Sequence, residues 1–232
     1  MFGIPCFSGL RQLLRRALQA PCRLCGNYGQ GAELCTSCAH RITVTPWGVS
    51  TLSVEGSRIP ILWRELYGGP LTELIYQSKY HGVWPIALLL GQQLGSLPRP
   101  WMGPPPVIIP IPLSGRRLAR RGYNQSSLIA RVAAQHWGVP MRERWLEKIR
   151  NTPRQAALGR ASRRENLSDS FRARQTVAHQ RVILLDDIMT SGSTLREAIR
   201  AIRHCGGEVI GAAVIARVNA PSPGRAPQGR RC

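Results

Sequence analysis

The sequence has few acidic residues, few lysines and no long hydrophobic run. Of its 232 residues, 12 are Asp or Glu and 32 are Lys or Arg, and Lys79 and Lys148 are its two lysines. The longest aliphatic run, residues 86–90, is far shorter than the ~20 residues of a membrane-spanning helix, which argues against a transmembrane protein. Aliphatic segments still recur as far as Arg217, so wholesale disorder is excluded as well.

The formal net charge is +20, and 30 of the basic residues are arginines. The preference for Arg over Lys has a simple alternative explanation in a G+C-rich genome, because either residue solvates a surface. The net charge itself attracts phosphate polyanions and anionic membrane surfaces at low salt, whichever basic residue supplies it.

Three regions differ in composition, and the length fits one sizeable globular core with a small appendage. Residues 1–50 contain a basic amphipathic helix at residues 10–18 and most of the cysteines. Residues 51–219 alternate aliphatic strands with helices, and residues 220–232, rich in Pro, Gly and Arg, are predicted to be a flexible tail.

Four of the seven cysteines form two CxxC pairs, which are Cys22 with Cys25 and Cys35 with Cys38. Arginines interrupt the leucines of residues 10–18, so this segment does not read as a secretory signal and we expect a reducing, cytoplasmic location. Four thiolates at this spacing suit a structural Zn²⁺ in a small ribbon or knuckle, and His40 is left out because the thiolates fill the shell. A pair of redox dithiols is the alternative. Cys6, Cys205 and Cys232 show no partner pattern.

The middle region predicts an α/β fold with a parallel sheet flanked by helices. Strands are predicted at residues 107–111, 182–185 and 209–215, because their aliphatic runs are continuous. Helices are predicted at residues 86–97 and 126–137 and around Leu195 to Ile202. The last of these has a possible capping box at residues 194–197 and ends at Gly206 and Gly207.

Residues 182–194 combine a buried strand, two adjacent acids and a turn rich in hydroxyl groups that leads into a helix. Ligands of open α/β sheets bind at the carboxyl ends of strands, and the N–H groups of such a turn favour an anion. Asp186 and Asp187 would repel a phosphate, so they suit sugar hydroxyls or a divalent cation. The pattern indicates a ligand with a phosphate and a diol, and the alternative is a capped turn with no ligand.

These thirteen residues resemble the phosphoribosyl pyrophosphate (PRPP) motif of type I phosphoribosyltransferases. The resemblance implies that Asp186 and Asp187 hold the ribose hydroxyls. It also implies that the 5-phosphate lies against the turn that follows, which consists of Thr190, Ser191, Gly192, Ser193 and Thr194.

Further segments resemble the ComF/GntX-type competence proteins. Residues 109–125 are similar to the family's pyrophosphate-loop region, and residues 79–82 match the segment upstream. Residues 151–171 are similar to its mobile hood, which we expect to act as a lid. Guanidinium groups bind phosphate oxygens in pairs of hydrogen bonds. Within residues 109–125 we therefore predict a pyrophosphate or nucleic-acid site at Ser114, Arg116, Arg117, Arg120 and Arg121. Any single one of these arginines has an alternative role as solvated surface.

Two functions follow from this resemblance. The first is binding of PRPP or a related ribose phosphate with Mg²⁺, with Asp186 and Asp187 at the reaction centre if pyrophosphate is displaced from C1. The second is a non-catalytic accessory role in binding single-stranded DNA, held chiefly through its backbone. The family implies DNA uptake, natural transformation or use of external DNA. The helix at residues 10–18 has a weaker candidate role near uptake machinery at the inner membrane face. Acceptor and oligomeric state are left open.

Overall fold

The structure is a computed structural model that describes residues 21–27, 34–99, 101–149 and 170–218. The chain forms two compact units, Met1–Thr45 and Pro46–Cys232. The predicted helix at residues 10–18 and the predicted tail at residues 220–232 lie outside the described residues. Among the helices that are described, none has both the length and the hydrophobicity that crossing a bilayer requires.

The second unit is built on a five-stranded sheet with the order β1-β2-β7-β6-β3. Its strands are β1 (Gly48–Val54), β2 (Ser57–Leu66), β3 (Val107–Pro110), β6 (Arg181–Met189) and β7 (Glu208–Arg217). A separate antiparallel pair is formed by β4 (Leu146–Lys148) and β5 (Phe171–Ala173).

The three strands predicted from continuous aliphatic runs are confirmed as β3, β6 and β7. They pair in parallel, with Ile109 opposite Leu184 and Leu184 opposite Ala212. Their central residues are buried because both faces of the sheet are covered. The α/β fold with helices on a parallel sheet is therefore confirmed, with an antiparallel edge added by β1.

Six helices cover the sheet or precede it within the described residues. They are α1 (Thr36–Val44), α2 (Pro70–Tyr80), α3 (Trp84–Gly95), α4 (Gly115–Arg121), α5 (Gln125–Trp137) and α6 (Ser193–His204). Helices α2, α3 and α5 pack together and against β3, β6 and β7, whereas α6 packs on the cluster that contains Leu184 and Val214. A Cβ at Gly91 would lie 2.8 Å from the Ile129 carbonyl oxygen, which shows how closely α3 approaches α5.

The ends of α6 differ in part from the prediction. The helix begins at Ser193, and the residue before it, Gly192, has a positive φ of 76° and makes no side-chain cap. Thr194 therefore lies inside the helix, and the capping box predicted at residues 194–197 is wrong. The predicted end is correct, because Gly206 adopts a φ of 78° directly after the helix.

The hairpin of β1 and β2 was not predicted. Its turn consists of Glu55 and Gly56, both with positive φ, and Val54 pairs with Ser57. Pro60 lies inside β2 and removes a backbone donor, which usually argues against a central strand. The parallel pairing of β2 with β7 begins one residue later, at Ile61 opposite Ala212, so the missing N–H precedes that ladder.

Candidate functional site

Two acids form the floor of the candidate site near the carboxyl end of β6. The strand continues past the predicted end at Leu185 and includes both Asp186 and Asp187. The Asp186 Oδ1 atom accepts hydrogen bonds from the Ser126 hydroxyl and from the Asp187 N–H, each at 2.9 Å. Lys79 Nζ lies 2.8 Å from Asp187 Oδ1 and forms an ion pair between two largely buried side chains.

The environment of Asp186 disfavours its ionised form. Burial and the neighbouring charge of Asp187 raise its pKa to about 7, although the ammonium of Lys79, the Asp187 N–H and the Ser126 hydroxyl act in the opposite direction. A ligand that donates hydrogen bonds, such as a diol, or one that brings a cation, would favour ionisation of the acid. The acid pair is therefore suited to such a ligand and unsuited to a bare phosphate.

A cleft of about 1210 Å³ opens above the acids. The end of α2 and the start of its following loop form one wall, and the loop after β3 with α4 forms another. Its lining residues are Ser78, Lys79, Tyr80, His81, Gly82, Ile111, Pro112, Leu113, Ser114, Arg116, Arg117, Arg120, Arg121, Tyr123, Ser126, Lys148, Asp186, Asp187 and Thr194. The cleft thus contains four arginines and two acids.

Most residues of the predicted site line this one cleft. The structure brings the two acids and Thr194 together with the predicted pyrophosphate region, which comprises Ser114, Arg116, Arg117, Arg120 and Arg121. Arg116, Arg117 and Arg120 are exposed and open to a ligand. Arg121 is half-buried, and its guanidinium donates to the Gln125 side chain at 3.1 Å. The individual roles assigned to these residues stay predictions.

Of the five residues predicted to hold the 5-phosphate, Thr194 in the first turn of α6 lines the cleft, whereas residues 190–193 are not part of its lining. Thr190 and Ser191 are exposed, and the Ser193 N–H donates to the Ser191 hydroxyl at 3.4 Å. Gly192 is buried, and a Cβ there would lie 2.7 Å from Leu52 Cδ1. The turn is therefore supported from behind by β1, and its hydroxyl groups face outward.

The two lysines were not predicted as site residues, yet both line the cleft. The side chain of Lys79 is 16% exposed and pairs with an acid 108 positions along the chain. The pKa of Lys148 is lowered by burial and by Arg117, and Glu197 and Asp186 act against this shift. The sequence feature that could have identified them is the rarity of lysine, since 30 of the 32 basic residues are arginines.

Several polar side chains around the cleft were also missed. Ser126 positions Asp186, as described above, and Tyr123 donates to the Ser78 carbonyl oxygen at 2.5 Å. Gln125 donates to the same oxygen at 3.3 Å. Tyr123 therefore ties α2 to the start of α5, as a packing residue would. The Ser78 and Ser114 hydroxyl groups are buried and make no hydrogen bond within the described residues.

The predicted hood segment falls mostly on residues 151–169, which lie outside the described residues. Its two flanks are paired, because Lys148 of β4 lies opposite Phe171 of β5. Lys148 also lines the cleft, so β4 ends beside the site.

The four predicted cysteine ligands meet in the first unit. The Sγ atoms of Cys22, Cys25, Cys35 and Cys38 all lie within 4.8 Å of one another, and those of Cys25 and Cys35 are 3.7 Å apart. A tetrahedron with Zn–S bonds of ~2.3 Å has edges of about 3.8 Å, so this spacing fits a four-coordinate metal. The cluster could therefore hold a metal ion such as zinc.

Local backbone geometry brings the thiols together. The Gly26 N–H donates to the Cys22 carbonyl oxygen at 2.9 Å in a tight turn, and Cys35 precedes α1, which carries Cys38. Burial, followed by contacts with the other thiols, raises the pKa of Cys38 to about 12. Burial also acts to raise the pKa of Cys22, but N–H groups that include that of Cys35 outweigh it and lower the value to about 6. Four crowded thiols need a cation to ionise together.

Comparison with protein families places the fold in a known class. The model for "Phosphoribosyl transferase domain" matches residues 104–223, which include β3, β6, β7 and both acids. Among curated proteins, Competence protein F of Haemophilus influenzae is 35% identical over 109 residues, which are 46% of this chain and 48% of that protein. DNA utilization protein YhgH of Salmonella typhi is 30% identical over 161 residues, which are 65% of this chain and 71% of that protein. The chain belongs to the ComF-type family of proteins with a phosphoribosyl transferase domain.

Two solved structures show a weaker likeness. A glutamine PRPP amidotransferase from B. subtilis has a TM-score of 0.38 at 21% identity. The matched region is 55% of this chain and 25% of the amidotransferase chain. An adenine phosphoribosyl transferase from Trypanosoma brucei has a TM-score of 0.32 at 10% identity. The matched region is 84% of this chain and 87% of the transferase chain. At these TM-scores neither structure is evidence for a shared ligand. The match to Competence protein F spans about half of that protein's length.

Proposed function

We propose that the cleft binds PRPP or a related phosphorylated ribose. One observation supports this most directly: an acid pair tethered by Lys79 lies in the same cleft as three exposed arginines and the half-buried Arg121. A ligand with a sugar diol between a phosphate and a pyrophosphate would place its hydroxyl groups at the acids and a phosphate group at the arginines. In this arrangement Asp186 and Asp187 accept hydrogen bonds from the ribose hydroxyl groups.

The phosphates have separate binding regions in this proposal. The 5-phosphate lies against the turn of residues 190–194, and Ser114 with the arginines of α4 holds the pyrophosphate. Mg²⁺ bound with the ligand would neutralise part of the pyrophosphate charge. The carboxylates of the cleft fit such a hard cation, and they would orient the ligand whether or not a transfer reaction follows.

Calorimetry with PRPP, in the presence and absence of Mg²⁺, tests the proposal. We expect the variant with Asp186→Asn and Asp187→Asn to bind PRPP at least about 10-fold more weakly, because it loses two charged hydrogen-bond acceptors. The matched control is Glu55→Gln with Glu208→Gln, which removes two charges from exposed positions outside the cleft. Equal affinity of the two double variants would refute the assignment. Release of pyrophosphate in the presence of nucleobases, nucleosides or DNA tests for a transfer reaction.

Single-stranded DNA binding is the second candidate function. It is favoured by the open arginine surface of α4 and the net charge of +20, and the names of the curated relatives refer to competence and DNA utilization. The affinity for an oligonucleotide should fall steeply with salt, with a slope near −0.7 for each phosphate neutralised. A flat salt dependence would count against this function.

We also propose that the cysteine cluster holds one structural Zn²⁺. Cys22, Cys25, Cys35 and Cys38 would be the ligands, and the metal would stabilise a unit whose described residues include few that are buried. Elemental analysis of the purified protein should find about one zinc per chain. If the purified protein contains no metal and forms two disulfides on mild oxidation, the redox dithiol alternative is favoured.

A further inference from the structure

A row of exposed tyrosines runs along α2 towards the cleft. Tyr67, Tyr76 and Tyr80 are 42%, 40% and 57% exposed, and they are three of the five tyrosines in the chain. Tyr76 and Tyr80 are one helical turn apart, with ring centroids separated by 5.8 Å and planes inclined by 20°. We call Tyr67, Tyr76 and Tyr80 the tyrosine row.

The tyrosine row is held in place by its neighbours. The hydroxyl groups of Tyr67 and Tyr76 lie 2.5 Å apart, so the loop after β2 braces the outer ring. The Arg121 guanidinium lies 5.7 Å from the centroid of the Tyr80 ring. Rings that are already ordered lose little conformational freedom when a ligand stacks on them.

The tyrosine row is continuous with the arginine surface. Tyr80 lines the cleft together with Arg116, Arg117, Arg120 and Arg121. An exposed aromatic surface beside a dense positive charge matches one class of partner, in which flat rings alternate with anionic groups along a chain. That partner is a single-stranded nucleic acid, whose bases stack on aromatic rings while basic groups hold the phosphates.

We propose that the tyrosine row is the base-stacking surface for single-stranded DNA, with the arginines of α4 as its phosphate-binding surface. This inference rests on the second candidate function and adds to it the path of the strand. The bases stack on Tyr76 and Tyr80, and the backbone follows α4 along the rim of the cleft. Because every base has a flat face, the surface binds without strong sequence preference.

The test separates stacking from charge. Fluorescence anisotropy is measured with a short oligothymidylate and with an abasic oligonucleotide of the same length, over a range of salt concentrations. Replacement of both rings by Tyr76→Ala with Tyr80→Ala should weaken oligothymidylate binding about 5-fold or more while leaving the salt slope unchanged. The same change should leave abasic binding nearly unaltered, since that strand offers phosphates alone.

Two controls accompany this variant. Tyr76→Phe with Tyr80→Phe keeps the rings and should bind oligothymidylate nearly as well as the wild type. Arg116→Gln with Arg120→Gln should weaken both oligonucleotides and reduce the salt slope by about 0.7 for each phosphate that the protein no longer neutralises. Because the replaced side chains are exposed, both variants should retain the wild-type melting temperature.

Each outcome decides a separate question. Loss of affinity restricted to oligothymidylate in the alanine variant supports the tyrosine row as the stacking surface. Full affinity in that variant overturns the tyrosine row while leaving DNA binding in place. Absence of binding by the wild type overturns both the DNA function and this inference. If the wild type is a dimer in solution and the alanine variant is a monomer, the row is an interface between two copies, which also overturns the inference.

Discussion

The ion pair of Lys79 and Asp187 joins the end of α2 to the end of β6. Both side chains are largely buried, at 16% and 10% exposure. A buried pair that loses one partner leaves an uncompensated charge, whereas removal of both partners is far less costly. The pair therefore fixes the geometry of the cleft, and its contribution is measurable as a coupling between two substitutions.

We expect Lys79→Met to lower the free energy of unfolding by about 3 kcal/mol, and Lys79→Met with Asp187→Asn to recover much of the loss. A double-mutant cycle from urea unfolding measures the coupling. The exposed pair of Arg200 and Glu55, at 3.0 Å, is the control and should show a coupling below about 1 kcal/mol. Equal coupling in the two cycles would show that burial of the first pair has no energetic consequence.

The raised pKa of Asp186 makes the stability of the ligand-free protein depend on pH. Its folded value of about 7 lies above the ~3.9 of an unfolded chain, so between these values the folded state holds a proton that the unfolded state releases. Stability should therefore fall as the pH rises from about 4 to 7. Burial sets this value together with three neighbours, Asp187, Lys79 and Ser126.

Asp186→Asn removes this titration. At pH 8 the variant should be more stable than the wild type by about 1–4 kcal/mol, and near pH 4 the two should be similar. Urea unfolding at both pH values measures the difference. If the difference in the free energy of unfolding between variant and wild type is the same at both pH values, the raised pKa of Asp186 is contradicted.

At the scale of elements, Glu65 links β2 to the start of α2. It is fully buried and accepts the N–H groups of Leu71 at 3.1 Å and Thr72 at 2.6 Å, together with the Thr72 hydroxyl at 2.9 Å. These N–H groups belong to the first turn of α2, where backbone acceptors are scarce, and the Thr72 N–H also lies 3.1 Å from the Gly69 carbonyl oxygen. A side chain from the preceding strand thus does what a capping residue usually does.

Glu65→Ala should lower the free energy of unfolding by about 2–4 kcal/mol, because buried donors lose their acceptor. Glu73→Ala, on the exposed face of the same helix, should change it by less than about 0.5 kcal/mol. Urea unfolding monitored by circular dichroism compares the two. Similar effects of both substitutions would show that the cap contributes nothing specific.

The elements also show which parts of the fold could be predicted from the sequence. The strands β3, β6 and β7 were predicted because they are buried on both faces and therefore consist of continuous aliphatic residues. The hairpin of β1 and β2 was not, since Pro60 and the buried charges of Arg64 and Glu65 do not resemble a central strand. Buried charged residues in a strand can be predicted only when their partners on other elements are known.

The candidate site was predictable to the extent that its residues are close in sequence. Asp186, Asp187 and the following turn form one continuous motif, and the arginines of α4 form another. Lys79 and Ser126 were missed as partners of the acids because they lie 108 and 60 positions from them. Their roles depend on how α2 and α5 pack, which local patterns do not specify.

At the scale of the whole molecule, the two compact units differ in what stabilises them. The described part of Met1–Thr45 buries Cys22, Cys38 and Ile42, whereas Pro46–Cys232 contains the large hydrophobic core. If the proposed zinc is bound, the described part of the first unit, with so few buried residues, should depend on it for folding, whereas the core of the second unit should not. The units should therefore respond differently to removal of the metal.

Treatment with a strong chelator should make the segment that contains the four cysteines, residues 22–38, sensitive to protease and leave the strands and helices of the second unit resistant. Limited proteolysis followed by mass spectrometry measures the cleavage sites, and added Zn²⁺ should restore protection. The variant Cys205→Ser, which changes a cysteine outside the cluster, serves as the control and should behave as the wild type. Protection that survives chelation and metal loss would show that the cysteine cluster folds without metal.

The position of the two lysines gives the protein an unusual chemical property. Apart from the amino terminus, every primary amine of the chain lies at the wall of one cleft, at Lys79 or Lys148. An amine-directed reagent such as pyridoxal phosphate with borohydride is thus restricted to that cleft and the chain end. Covalent labelling of intact protein, read as a mass increment, becomes a direct measure of cleft occupancy without any engineered probe.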